Sequence, residues 1–249
     1  YEIRLSLVGS EMCIRDSYSM LNVCDLSTDG CFTLGAAVGA MVAIAGHPYL
    51  AILAAMGAGV LSGFITALLQ TKMGIDSLLA GIIVNTGLYS INIAVMGGSS
   101  LLNMNKTETV FTKARALLQG TFLAEQYKLL VAAIAVIAVI VFLVLFLHTR
   151  LGLAIRATGD NPDMVRSSSI NPTFTTIVGL CVANAFTGLS GCLLAQSQKS
   201  VSIDIGTGMV TIALASLLMG QVLLGKGSIL KRALSLIHIS EPTRLRRIS

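Results

Sequence analysis

Polar side chains are scarce in the apolar stretches of this sequence, so each one found there is informative. Asn85, Tyr89 and Asn92 fall at i, i+4 and i+7, and on a helix they share one face. Asn184, Thr187 and Gln196 lie in a later apolar stretch. An uncompensated amide in hydrocarbon is unfavourable, so such residues face other helices or a wet cavity. Two roles fit: helix–helix hydrogen bonds, worth about 0.6 kcal/mol each, or lining for the path of a polar solute. Asp25 and Asp29 flank Ser27-Thr28, and Gly30 follows, just ahead of another apolar run. A carboxylate there can cap open backbone N–H groups at a helix start. Alternatively, an early broken helix can present its N-terminus to an anionic ligand.

The longest charged segment between apolar runs is Thr149 to Pro172. It combines Gly152, Arg156, Ala157, Gly159, Asp160, Asn161 and Asn171 with an apolar stripe of Leu151, Leu153 and Ile155. Asn161-Pro162 is a helix-start signal with Asp163 in the first turn, so a short surface helix is expected over 162–168. Gly159 is the residue expected to permit the turn before it. By composition alone the segment could equally be a solvated loop.

Other chemistries are not indicated. Cys24, Cys31, Cys181 and Cys192 form no CxxC and have no His at ligand spacing, so no metal site is read and they serve as small apolar fillers. His47 and His148 sit at helix ends and read as interfacial. Gly220 to Lys226 matches most of a phosphate-binding loop, but Gly227 stands where Ser or Thr must bind magnesium. The match also ends an apolar helix and joins no strand to a helix. No cofactor is therefore assigned to this chain, and it is not read as an enzyme.

The elements that must position these residues follow from composition. The chain has 249 residues, 54% hydrophobic and only 12% charged, with a mean hydropathy of +0.82. Soluble domains carry about 25% charged residues, so a soluble single-domain enzyme is not expected and a polytopic, all-α membrane protein in a lipid bilayer is. The formal charge of +5 is modest and its basic residues are scattered over short segments, so nucleic acid is not a partner. No Asp, Glu, Lys or Arg occurs in 32–71, 77–105, 129–149, 167–198 or 205–225. A spanning helix needs about 20 apolar residues. Six membrane helices are predicted near 32–47, 49–70, 75–97, 127–148, 173–197 and 206–225, with a break at His47-Pro48. The first is short for a full span and is expected to be broken or re-entrant. No strand is predicted, since no run alternates. Gly35/Gly39 and Gly59/Gly63 form GxxxG pairs suited to close helix packing. With the 149–172 segment placed inside, seven basic residues are cytoplasmic and five external, a weak preference for that orientation.

The two ends read differently. LSLIHISEPTR (Leu234 to Arg244) back-translates to DNA whose reverse complement, in a shifted frame, encodes VGSEMCIRDS, Val8 to Ser17. Residues 1–17 and 234–249 resemble translated sequencing adapter and are set aside. Residues 18–233 are expected to be one membrane domain, truncated at both ends.

GLAIRATGDNPDMVRSSSINP (Gly152 to Pro172) resembles the cytoplasmic loop of ABC-importer permeases of the branched-chain amino acid/ribose permease superfamily. DLSTDGCFTLGAAV (Asp25 to Val38) is similar to the early segment of these permeases. SLLAGIIVNTGLYSINIAVMG (Ser77 to Gly97) and NAFTGLSGCLLAQSQ (Asn184 to Gln198) resemble the tryptophan/tyrosine branch of amino acid permeases. Ser167-Ser168-Ser169 and Gln198-Lys199-Ser200 depart from that branch and leave the substrate open.

The resemblance implies a permease subunit in a bacterial inner membrane, multi-pass, importing a small solute, with an amino acid, aromatic in type, expected. It implies a second permease copy as a homodimer, an extracytoplasmic substrate-binding protein and a cytoplasmic ABC ATPase that consumes ATP and Mg. The ATPase would dock on the 152–171 loop, with Arg156 and Asp160 as polar contacts. The alternatives are a sugar-type ABC permease and an ion-coupled secondary transporter. The latter normally needs an acidic residue deep in a helix, and the predicted helix centres have none.

Overall fold

The computed structural model describes residues 25–104, 107, 109–112, 127–212 and 215. The adapter-like ends, Cys24 and the Gly220–Lys226 motif lie outside the described residues.

Three apolar helices come first: α1 (Thr28–Ile44), α2 (Pro48–Thr71) and α3 (Ser77–Val95). The chain breaks where the sequence marks it. Pro48 opens α2, where its missing N–H costs nothing. Asp76 caps α3 by accepting the Leu78 N–H. After α3 come β1 (Leu101–Asn103), α4 (Tyr127–Leu147), α5 (Arg150–Asp160), α6 (Pro162–Ser167), α7 (Pro172–Gln198) and β2 (Ser200–Ser202). Asn171 caps α7 by accepting the Thr173 N–H, with Pro172 in the first turn.

The centre of the fold is α7 lying against α1 and α2, and glycine makes it possible. A Cβ on Gly35 would strike the Gly188 carbonyl, and one on Gly59 the Asn184 carbonyl. A Cβ on Gly188 would stand 2.6 Å from the Ala55 carbonyl oxygen. Both GxxxG pairs thus face α7, which brings Gly188 and Gly191 to meet them. Ala36, Ala37, Ala40, Ala43, Ala51, Ala55 and Ala195 fill the space between. α3 leans on α1 through Val84 and Leu88.

The outer surfaces are apolar. Leu53 and Leu61 of α2, Leu79 of α3 and Ile137 and Leu145 of α4 are each more than half exposed. Such a surface suits lipid, where helices satisfy their own backbone. Among the described residues α2, α3 and α7 are long and apolar enough to cross a membrane, and α4 with α5 makes a fourth if that bent pair is one span. α1, at 17 residues, is apolar but short. The chain is a polytopic helical membrane protein.

Three expectations need correction. β1 and β2 pair antiparallel, Leu102 opposite Val201, although no strand was expected. Three residues are too few to show alternation, and the partners lie far apart in sequence. The last helix does not start at 206: residues 203–208 are turn, Gly208 is left-handed at φ +84°, and helix is described from Met209. The rest of that predicted helix lies almost wholly outside the described residues. Finally, 150–160 is the helix α5, turned 82° from α4. Thr149 caps it by accepting the Gly152 N–H. Gly152 sits in the bend, where a Cβ would stand 2.5 Å from Leu147 Cα.

Candidate functional site

Two groups of residues carry the polar chemistry: the α5–α6 elbow and the interior where α1, α2, α3 and α7 meet. In the elbow, α5 buries Ala154, Ile155 and Thr158. Ile155 packs with Ala67 and Leu180. Thr158 Oγ1 and Thr175 Oγ1 share a hydrogen bond of 2.8 Å, which fixes α5 to α7. The predicted stripe of Leu151, Leu153 and Ile155 is therefore split. A spacing of two residues is not a helix face, and Leu153 points outward, 57% exposed, while Ile155 turns in. The outward face of α5 carries Leu153, Arg156 and Ala157, all exposed.

The turn after α5 is not made by Gly159, which lies within the helix at right-handed φ. Asn161 makes it, extended at φ −157°. Its side chain accepts the Asp163 N–H and so starts α6. Asp160 is the last residue of α5. Ser169, left-handed at φ 61°, turns the chain toward Asn171 and α7. Arg166 lies 3.8 Å from Asp163, both exposed, and such a pair contributes little.

In the interior, the Asn85–Tyr89–Asn92 face divides. Asn92 is buried and its Nδ2 donates to the Gly30 carbonyl at 3.2 Å. Asn85 also lies against Gly30, where a Cβ would stand 2.6 Å from the Asn85 Oδ1. Tyr89 lies outside this contact, 50% exposed. The structure thus brings the two amides to α1 and leaves the phenol outside. Asn92→Ala is expected to lower the unfolding temperature of the detergent-purified protein, by the equivalent of about 0.6–1.7 kcal/mol, while Tyr89→Ala leaves it unchanged. Equal effects of the two would contradict the placement.

Gln196, fully buried, accepts the Val110 N–H at 3.1 Å and donates to the Pro48 carbonyl at 3.4 Å. It ties α7 to the start of α2 and to the segment after β1. Asp29 does not cap its own helix; the N-cap of α1 is Ser27, without a side-chain bond. Asp29 instead accepts the Gly208 and Val210 N–H groups at 3.2 and 2.9 Å, capping the turn and helix start that follow β2. Asp25 accepts the Ser27 N–H at 2.8 Å and the Asn184 Nδ2 at 3.1 Å.

Sequence reasoning missed three members of this interior. Ser27, Ser62 and Thr66 are buried; the Ser27 N–H donates to Asp25, and Thr66 Oγ1 donates to Ser27 Oγ at 3.2 Å. The available signal was Ser62 and Thr66, hydroxyls four apart on one face of an otherwise apolar helix.

Among the described residues no nucleophile, acid–base pair or redox group is set against an open cleft. The arrangement offers a tightly closed helix cluster and an exposed amphipathic elbow. The family model described as branched-chain amino acid transport system / permease component matches residues 17–235. The tyrosine transport system permease protein of Clostridioides difficile (strain R20291) is 32% identical over 222 residues, covering 89% of this chain and 71% of that protein. The nucleoside ABC transporter permease protein of Lactococcus lactis subsp. cremoris is 28% identical over 179 residues, 66% of this chain and 49% of that protein. The ribose import permease protein of Escherichia coli (strain K12) is 26% identical over 210 residues, 82% of this chain and 63% of that protein. No solved structure matches the chain.

Proposed function

The chain belongs to the permease-component family of branched-chain amino acid transport systems, and on that premise we propose that its substrate is an amino acid with an aromatic side chain. As an ABC-type permease it is a multi-pass transport subunit of the cell membrane. The observation that carries the substrate reading is the tyrosine transport relative, which matches more of this chain, at higher identity, than the nucleoside and ribose relatives do.

The working unit we infer holds two permease copies, two cytoplasmic ATPases and an extracytoplasmic binding protein. ATP and Mg belong to the ATPase. Its docking element is the α5–α6 elbow, Gly152 to Asn171. Support comes from the exposed Leu153–Arg156–Ala157 face on a helix that Thr158 and Ile155 fix to α7. A helix so fixed moves as a rigid body, and a push on it reaches the glycine-lined α1–α2–α7 cluster. Tyr89, outside the α1 contact, faces the second copy and the pathway between them.

The test is uptake into proteoliposomes holding the permease, its ATPase and its binding protein. ATP-dependent accumulation of labelled tyrosine, competed by tryptophan and phenylalanine and not by guanosine or ribose, is expected. Accumulation of a nucleoside or ribose in its place would overturn the substrate reading.

A further inference from the structure

We propose that the turn before α1, together with the facing surfaces of α2 and α7, binds a single sodium ion that holds these three elements together. Asp25 lies in that turn, 4% exposed. Its carboxylate receives two hydrogen bonds, from the Ser27 N–H and the Asn184 amide. Both donors are neutral, and among the described residues no Lys, Arg or His is paired with it. A buried carboxylate without a countercharge is among the most expensive groups a fold can hold.

A second observation is independent of the charge. Asn184 Oδ1 and Ser62 Oγ are fully buried and have no hydrogen-bond partner. Asn184 reaches Asp25 with its other amide atom. The Ser62 hydroxyl lies beside the Cys31 thiol, which is also within electrostatic reach of the Asp25 carboxylate. Thr66 Oγ1 donates to Ser27 Oγ at 3.2 Å, and the Ser27 N–H donates to Asp25, so these hydroxyls belong to the same interior. Buried polar groups are almost always satisfied, so two such atoms beside one uncompensated carboxylate point to a ligand.

The chemistry of the donors selects the ion. All are hard oxygens: one carboxylate, one amide carbonyl and hydroxyls. One monovalent cation cancels the single negative charge, whereas a divalent ion would leave a positive charge in a low-dielectric interior. A water molecule would satisfy the amide and the hydroxyl but leave the carboxylate uncompensated. The ion here has a holding role, tying α1 to α2 and α7; it is not the driving ion of transport, and the proposal stands apart from the substrate reading.

Thermal unfolding of the detergent-purified protein tests this, with sodium chloride exchanged for N-methylglucamine chloride at constant ionic strength. The unfolding temperature should rise saturably with sodium. The rise should vanish in Asp25→Asn, and in Ser62→Ala it should need roughly tenfold more sodium, as for loss of a supporting group at a metal site. If Asp25→Asn does not fold, Ser62→Ala carries the test alone. Identical unfolding in the two salts, or an unaltered sodium response in Ser62→Ala, would overturn the proposal and leave water as the occupant.

Discussion

Gly35→Val is expected to abolish the folded protein while leaving its insertion into the membrane intact. The added side chain meets the Gly188 backbone, which cannot rotate away as a side chain would. Gly191 is equivalent from the other side, since a Cβ there strikes the Phe32 carbonyl. Overpacking costs about 1–3 kcal/mol where neighbours can shift. Here α1 would have to separate from α7 along its length, so the effect should lie at or above the top of that range. Insertion depends on apolar length, which valine preserves. Gly57 is the internal control: nothing lies within 4 Å of a Cβ placed there. Gly57→Ala should be neutral or slightly stabilising, by up to about 1 kcal/mol. Size-exclusion profiles of the two variants decide it. A monodisperse Gly35→Val protein with the stability of Gly57→Ala would refute the packing account.

That contrast also shows what the sequence could reveal. The long helices were legible because hydrocarbon demands long uncharged runs and because Pro48 punctuates the first of them. The GxxxG pairs were legible as packing surfaces, but not as surfaces for α7, because a small residue does not name its partner. α5 was hidden: its composition reads as a loop, and what makes it a helix against the bundle is a distant contact, Thr158 with Thr175. β1 and β2 were too short to leave a pattern. Asp29 carried a local capping signal, yet its two partners follow β2 at Gly208 and Val210. No local rule reaches so far. The amides Asn85, Asn92, Asn184 and Gln196 were picked out by being polar in apolar runs. Which face they meet is a property of tertiary packing.

Arg156→Glu should separate insertion from coupling. Arg156 is exposed on the outer face of α5, beside Leu153 and Ala157. Its charge does not hold the membrane domain together, so the variant should purify with the unfolding temperature of the parent. At the ATPase interface the reversal should matter. Breaking one partner of a desolvated charge pair costs roughly 2–5 kcal/mol, which is about thirtyfold or more in affinity. Weakened co-purification of the ATPase is expected, or ATP hydrolysis that no longer drives uptake. Arg156→Lys, which keeps the charge but loses the planar fork, should lie between. Parental association and uptake in Arg156→Glu would remove Arg156 from the coupling contact.

The central claim is that this chain is a permease whose α5–α6 elbow takes up the ATPase. Sided labelling of a cysteine introduced as Ala157→Cys tests it most directly. Ala157 is exposed, and cysteine there is a small change. The assay compares a membrane-impermeant maleimide applied from each side of the membrane, with the parent protein as background. Labelling is predicted only from the cytoplasmic side, and it should fall sharply when the ATPase is bound. Labelling from the external side, or cytoplasmic labelling indifferent to the ATPase, would contradict the account.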